Sequence, residues 1–75
     1  MDVEIPEEII EPGAEGVISI WFFKTGEAVA QGDVLAEVMN AKAATQIEAP
    51  AAGRLTILVD PEIAIRCGDV IARIE

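Results

Sequence analysis

The sequence has no histidine or tyrosine, a single cysteine, and one tryptophan and two phenylalanines as its aromatic residues. Without histidine, the Ser–His and Cys–His arrangements of nucleophilic catalysis cannot form, and the usual zinc ligands are in short supply. The lone Cys67 excludes an internal disulfide and fits a reducing compartment. Because no partner thiol is present, we interpret Cys67 as an ordinary turn residue.

Basic residues are also scarce, since five Lys and Arg face fourteen Asp and Glu for a net charge of −9. Nucleic-acid binding depends on cations that displace phosphate counterions, so this charge excludes it. The acidic residues are scattered through turns and lack both a paired, cleft-like arrangement and the spacing of a calcium loop. We therefore predict no catalytic residue and no metal site, and we expect the charge to steer the domain toward basic protein surfaces.

Targeting signals are missing as well. The amino-terminal residues lack a basic region followed by an apolar run, and no stretch approaches the roughly 20 apolar residues of a membrane span. We expect no membrane partner, a monomer in isolation and a cytoplasmic location, or an organelle matrix if a transit peptide has been removed. At 75 residues, the chain is expected to form a single domain over residues 1–75.

The sequence is instead rich in short apolar segments separated by turns that contain glycine, proline and acidic residues. Apolar residues make up 52% of the sequence, mostly Ala, Ile and Val, and the branched residues favour strands. Val34, Ala36 and Val38 are predicted on one strand face, with Leu35 and Glu37 on the other. The spacing predicts an all-β sandwich or barrel with strands at residues 3–5, 16–23, 28–29, 34–39, 44–49, 54–59, 63–65 and 70–74. Residues 6–15, the acidic loop, separate the first two strands.

An internal repeat supports this architecture. Residues 28–36 align with residues 64–72, with Gly-Asp-Val and flanking alanines in common, and a glycine opens the preceding strand in each half. Two such halves predict a sandwich with pseudo-twofold symmetry. The Gly-Asp pairs are typical of turns that need a positive φ at glycine. The aromatic run at residues 21–23 is interpreted as core and edge packing rather than a ligand site.

Lys42 is the residue most suited to chemistry, because it is one of only two lysines and lies between small residues at a predicted hairpin tip. An ordinary lysine has a pKa of about 10.4 and is a poor nucleophile at neutral pH. We therefore interpret Lys42 as the substrate of a modifying enzyme. Ala41 and Ala43 leave the amine unobstructed, and Asn40 tolerates the left-handed conformation that tight turns often need.

The motifs that carry this interpretation span almost the whole chain: Glu15-Gly16-Val17-Ile18, residues 25–38, Lys42-Ala43, residues 47–53 and Gly68-Asp69-Val70-Ile71. In these segments the chain resembles a lipoyl domain of 2-oxo acid dehydrogenase complexes, within the biotinyl/lipoyl attachment family. The family lysine usually follows an aspartate and precedes an alanine; here Ala41 replaces the aspartate. The resemblance implies a flattened barrel-sandwich hybrid, or hammerhead, of two four-stranded antiparallel sheets.

The resemblance also implies a function. Lys42 would carry lipoic acid as an amide, with Asn40, Ala41 and Ala43 as flanking recognition residues. The domain would be a non-catalytic swinging-arm carrier of acyl groups and electrons, and it would form part of a dihydrolipoyl acyltransferase chain. The implied partners are a lipoate ligase or lipoyl transferase and the 2-oxo acid dehydrogenase, acyltransferase and dihydrolipoamide dehydrogenase components.

Two alternatives stay open at this point. A biotin carrier would have methionines on both sides of the lysine, a pattern that Ala41 and Ala43 do not match and for which Met39 is out of register. An unmodified structural lipoyl-like module would typically lack the attachment lysine, so the presence of Lys42 counts against it.

Overall fold

A computed structural model describes residues 1–41 and 43–75. The segments that alternate or run apolar in the sequence form eight strands, as predicted. Four of them end one or two residues earlier than predicted. The strands are β1 (Asp2–Glu4), β2 (Gly16–Trp21), β3 (Ala28–Val29), β4 (Val34–Asn40), β5 (Ala44–Glu48), β6 (Gly53–Ile57), β7 (Ala64–Ile65) and β8 (Val70–Ile74).

The strands form two antiparallel four-stranded sheets, with the orders β1-β8-β6-β3 and β5-β4-β2-β7. This confirms the all-β sandwich. The second order follows from the first when the two halves are exchanged, so that β5 takes the place of β1, β4 of β8, β2 of β6 and β7 of β3. The predicted pseudo-twofold symmetry is therefore present in the strand pairing itself.

The two Gly-Asp turns are built alike. Gly32 and Gly68 have φ values of 90° and 89°, the left-handed region that glycine enters without strain. In the first turn, the Asp33 carboxylate accepts a hydrogen bond from the Ala30 amide at 2.8 Å. In the second, the Asp69 carboxylate accepts one from the Arg66 amide at 2.9 Å. The sequence repeat is thus a repeat of one hydrogen-bonded turn.

The core between the sheets is apolar, and among the described residues no buried polar or charged side chain is present. In β5 the side chains alternate between core and solvent, with Ile47 buried and Gln46 and Glu48 exposed. Burial of this apolar surface is the main source of stability for a domain of this size. The buried set comprises Val3, Ile5, Ile10, Ile18, Val29, Leu35, Ala36, Val38, Ile47, Ala49, Leu55, Ile65, Ile71, Ala72 and Ile74.

The predicted alternation of β4 is wrong at its start. Leu35 and Ala36 are both fully buried, although alternation assigned them to opposite faces. The cause is a register shift: Val34 pairs with Glu48 and Ala36 with Ile47, which leaves Leu35 as an extra residue in its strand. The released carbonyl oxygen of Leu35 accepts a hydrogen bond from the Phe22 amide at 2.8 Å.

The same irregularity recurs in the other half. Val70 pairs with Glu4 and Ala72 with Val3, so Ile71 is the extra residue. Its carbonyl oxygen accepts a hydrogen bond from the Leu58 amide at 2.9 Å. Each bulge therefore gives its carbonyl oxygen to the residue that directly follows the neighbouring strand of the same sheet, at equivalent places in the two halves.

The aromatic run behaves as predicted. Trp21 and Phe23 pack against the core, whereas Phe22 is half exposed. The indole nitrogen of Trp21 donates a hydrogen bond to the Val59 carbonyl oxygen at 3.1 Å, which ties the end of β2 to the segment after β6. A helix long and apolar enough to cross a membrane is absent from the described residues.

The chain ends close the β1-β8-β6-β3 sheet. The amino-terminal ammonium donates a hydrogen bond to the Ile74 carbonyl oxygen at 2.6 Å, and Glu75 exchanges two backbone hydrogen bonds with Arg54. The turn between β4 and β5 belongs to the other sheet. In the pseudo-twofold relation, that hairpin is the counterpart of the paired chain ends.

One turn of the repeat carries backbone strain that its counterpart avoids. Glu62, with φ of 72°, is the non-glycine residue of positive φ in the described chain, and its amide donates to the Ile18 carbonyl oxygen. At the equivalent position Gly26 has φ of 95° and its amide donates to Leu55. We expect Glu62→Gly to raise the free energy of unfolding by about 1 kcal/mol, measured by urea denaturation.

Glu62→Gln is the matched control, because it removes the same charge but keeps the left-handed side chain. It should leave stability close to that of the wild type. An equal gain in both variants would assign the effect to charge repulsion and contradict the strain.

Candidate functional site

The turn between β4 and β5 is closed by hydrogen bonds on both sides. Met39 pairs with Ala44 as the last register pair of the two strands. Beyond it, the Asn40 amide donates to the Ala43 carbonyl oxygen at 3.0 Å. The Ala43 amide in turn donates to the Asn40 side-chain Oδ1 at 3.0 Å. An asparagine that accepts from a nearby backbone amide is a common device for holding a tight turn.

The structure brings three of the predicted site residues into this one turn. Asn40 is half-buried, and Ala41 and Ala43 are exposed. Lys42, the predicted attachment residue, lies outside the described residues. Asn40 does not adopt a left-handed backbone, because it ends β4 as a strand residue and holds the turn with its side chain. Its role as a recognition residue stays a prediction.

The acidic loop, residues 6–15, packs against the same turn. The Asn40 side-chain Nδ2 donates a hydrogen bond to the Ile9 carbonyl oxygen at 2.7 Å. The loop is folded rather than merely solvated, because its own amides close turns: Ile10 donates to the Pro6 carbonyl oxygen and Ala14 to that of Glu11. Sequence reasoning missed this contact. The adjacent apolar pair Ile9-Ile10 within an acidic stretch was the signal that could have revealed it.

Ile10 anchors the loop. Its side chain is fully buried in the core. It fits over Gly16, where an added Cβ would lie 2.8 Å from Ile10 Cδ1 and 2.8 Å from the Met39 carbonyl oxygen. Glycine at position 16 therefore serves close approach, since only a residue without a side chain lets the loop, β2 and β4 come together here.

An ion pair between two described residues borders the site. The Arg66 guanidinium donates to Glu15 Oε2 at 2.8 and 3.2 Å. The side-chain hydrogen bond to Glu15, followed by the charge of Glu15 itself, raises the pKa of Arg66 above its ordinary value. Both side chains are more than half exposed, so the pair orders the edge between the loop and β7 with little effect on stability.

A shallow apolar recess lies on the outer face of the sheet beside the turn. Val17, Met39 and Ala64 line it, with Glu15 and Asn40 at its border. Val17 pairs directly with both Met39 and Ala64, so the three side chains share one sheet face. Met39 is 45% exposed, which makes this face more apolar than the acidic composition suggests.

The described residues offer no set of three His, Cys, Asp or Glu side chains able to hold a metal ion. What the site provides is a short turn of small residues, held by Asn40 and bordered by carboxylates of the acidic loop. Such an arrangement suits recognition by another protein, because Asn40 holds exposed small residues at the end of a paired strand.

Comparison with known proteins gives consistent results. The model of a family described as "Biotin-requiring enzyme" (Biotin_lipoyl) matches residues 2–74. A Staphylococcus epidermidis protein named "Dihydrolipoyllysine-residue acetyltransferase component of pyruvate dehydrogenase complex" is 42% identical over 62 residues, which cover 81% of this chain and 14% of that protein. The Staphylococcus aureus protein of the same name is 39% identical over the same lengths. The chain thus spans about one seventh of the length of these relatives.

The close approach at Gly16 gives a testable prediction. We expect Gly16→Ala to lower the free energy of unfolding by about 1–3 kcal/mol, because the new methyl group meets a backbone oxygen that cannot move without disturbing the β2–β4 pairing. Urea denaturation monitored by Trp21 fluorescence would measure this.

Ala14→Ser, which adds one atom to a half-buried loop residue, is the control and should cost much less. A Gly16→Ala variant as stable as the wild type would show that the loop does not depend on this close approach.

Proposed function

The chain belongs to the Biotin_lipoyl family, and we propose that it is a carrier domain whose Lys42 is lipoylated. The observation that carries the proposal is the β4–β5 turn, where Asn40 fixes the backbone and exposed Ala41 and Ala43 flank the lysine in sequence. The names of the relatives, which refer to a dihydrolipoyllysine residue, support lipoate as the attached group.

The described residues fit such a group. A modifying enzyme needs room on both sides of the acceptor lysine, and the two exposed alanines leave that room. The lysine must first lose a proton, since ammonium is not a nucleophile. Its Nζ then forms a bond to the activated carboxyl carbon of lipoate, and the activating group departs with the electrons of the broken bond. The product is a neutral amide.

The bound lipoyl group would supply a dithiolane that accepts an acyl group together with two electrons. The domain would supply position. A tethered group reaches the next active site at a high effective concentration without any new contact. We propose that the active sites served are those of a 2-oxo acid dehydrogenase complex: the dehydrogenase, the acyltransferase and the dihydrolipoamide dehydrogenase. In this proposal the domain is one part of a longer dihydrolipoyl acyltransferase chain.

Biotin is the second candidate, because the description of the matching family refers to biotin. The flanking residues favour lipoate, since neither Ala41 nor Ala43 is the methionine expected beside a biotinylated lysine. A biotin ligase therefore serves as a comparison in the loading experiment.

The loading experiment uses intact mass. Incubation with lipoate, ATP and a lipoate ligase should add one lipoyl group to the wild type and none to Lys42→Arg, because arginine keeps the charge but is not acylated. Lys24→Arg, which changes the other lysine, is the matched control and should load as the wild type does.

A parallel incubation with biotin and a biotin ligase should leave the mass unchanged. Loading of Lys42→Arg would place the modification elsewhere, and a mass gain with biotin alone would replace lipoate by biotin in the proposal.

The departure at position 41 gives a further prediction. We expect Ala41→Asp to raise kcat/KM of the ligase for this domain by about fivefold, equivalent to about 1 kcal/mol from one exposed charged contact. The initial rate of lipoyl addition at low domain concentration would measure it.

Ala43→Asp is the control, because it adds the same charge on the other side of the lysine and should not accelerate loading. Equal rates for Ala41→Asp and the wild type would show that the ligase does not read this position.

A further inference from the structure

We infer that Asn40 is a positioning residue that joins the β4–β5 turn to the acidic loop, so that the enzyme that loads Lys42 meets both segments in one fixed arrangement. The inference rests on the proposed function, because it concerns how the same lysine is presented. It assigns to Asn40 a role through the turn and the loop, without contact to the reacting atoms.

The side chain of Asn40 bonds to two described residues in different directions. Its Oδ1 accepts from the Ala43 amide at 3.0 Å, within the turn. Its Nδ2 donates to the Ile9 carbonyl oxygen at 2.7 Å, in a loop that is thirty-one positions away in sequence. One planar amide therefore sets the shape of the turn and its attachment to the loop together.

The anchor on the loop side is itself fixed by burial and by backbone hydrogen bonds. Ile10, the residue after Ile9, is fully buried and packs over Gly16. The Ile9 and Ile10 amides both donate to the Pro6 carbonyl oxygen, at 3.0 and 3.2 Å. Because the buried Ile10 side chain holds this part of the loop, the hydrogen bond from Asn40 to the Ile9 carbonyl oxygen fixes the turn relative to the core.

The joined segments present a single surface. Glu11, Ala14 and Glu15 of the loop line a small recess together with Asn40 and Ala41 of the turn. Loop carboxylates thus lie beside the small residue that precedes the lysine. A loading enzyme that contacts both segments would fit this surface only while the loop stays against the turn.

The test compares Asn40→Ala with Asn40→Asp. Alanine removes both bonds. Aspartate keeps an acceptor for the Ala43 amide but cannot donate to the Ile9 carbonyl oxygen. Gln46→Ala, an exposed change on β5, is the control. Each variant is measured for lipoate ligase kcat/KM, for acetylation of Lys42 by a small acetylating reagent, and for amide hydrogen exchange of residues 6–15 and of Ala43.

We expect Asn40→Ala to lower ligase kcat/KM about tenfold, since a misplaced reactive group costs at least that much. Its acetylation by the small reagent should match the wild type, because the amine itself is unchanged. Asn40→Asp should also lower kcat/KM and speed exchange in residues 6–15, with the Ala43 amide still protected. A variant that loses thermal stability without losing kcat/KM would show a structural role alone and overturn the inference.

Two other outcomes separate the inference from the proposed function. If the wild type takes up lipoyl groups and both Asn40 variants do so at the same rate, the inference fails and the carrier proposal stands. If the small reagent is slowed as much as the ligase, Asn40 acts on the amine directly and the positioning role is wrong. A wild type that takes up no lipoyl group would overturn both.

Discussion

The two Gly-Asp turns hold the base of each half of the sandwich. Besides the Asp carboxylate that closes each turn, the Gly32 amide donates to the Ala49 carbonyl oxygen and the Ala49 amide donates to that of Asp33, at 2.9 and 2.7 Å. In the other half, the Gly68 amide donates to the Ile5 carbonyl oxygen at 2.8 Å, and the Ile5 amide donates to that of Asp69 at 3.0 Å. These paired bonds fix where the strand after each turn begins relative to its neighbour. The pairing register of the strand has to be fixed, because a slip of one residue would turn its apolar face toward solvent.

The position of the β4–β5 turn follows from the hydrogen bonds of the first Gly-Asp turn. With Val34 opposite Glu48 and one extra residue at Leu35, the ladder reaches Met39 opposite Ala44, and the chain must turn at the next residues. The site is therefore specified by hydrogen bonds at the far end of its own hairpin. The proposed carrier role needs this kind of control, because a carrier domain has to keep its modified side chain where other enzymes find it. No cavity has to be built into a core that a domain of this size can hardly spare.

Much of this could be derived from residue patterns alone. Alternation placed the strands to within two residues, because strand faces repeat every second position and the turns carry glycine, aspartate or proline. The repeat of residues 28–36 at 64–72 predicted the symmetry of the sheets. Alternation failed at Leu35 and Ala36, because a bulge depends on what the partner strand offers, and the partner is distant in sequence. The contact of Asn40 with Ile9 was missed for the same reason.

The sequence by itself determined the fold class, the strand positions and the lysine that stands between small residues, because each of these is a matter of local composition and spacing. Its histidine count alone excluded His-dependent nucleophilic catalysis. Tertiary structure decided how the acidic stretch folds, which face of β4 is buried at its start and what the Asn40 side chain does. These features arise when residues far apart in the chain compete for the same carbonyls and the same space in the core, and such competition leaves no periodic trace along the chain.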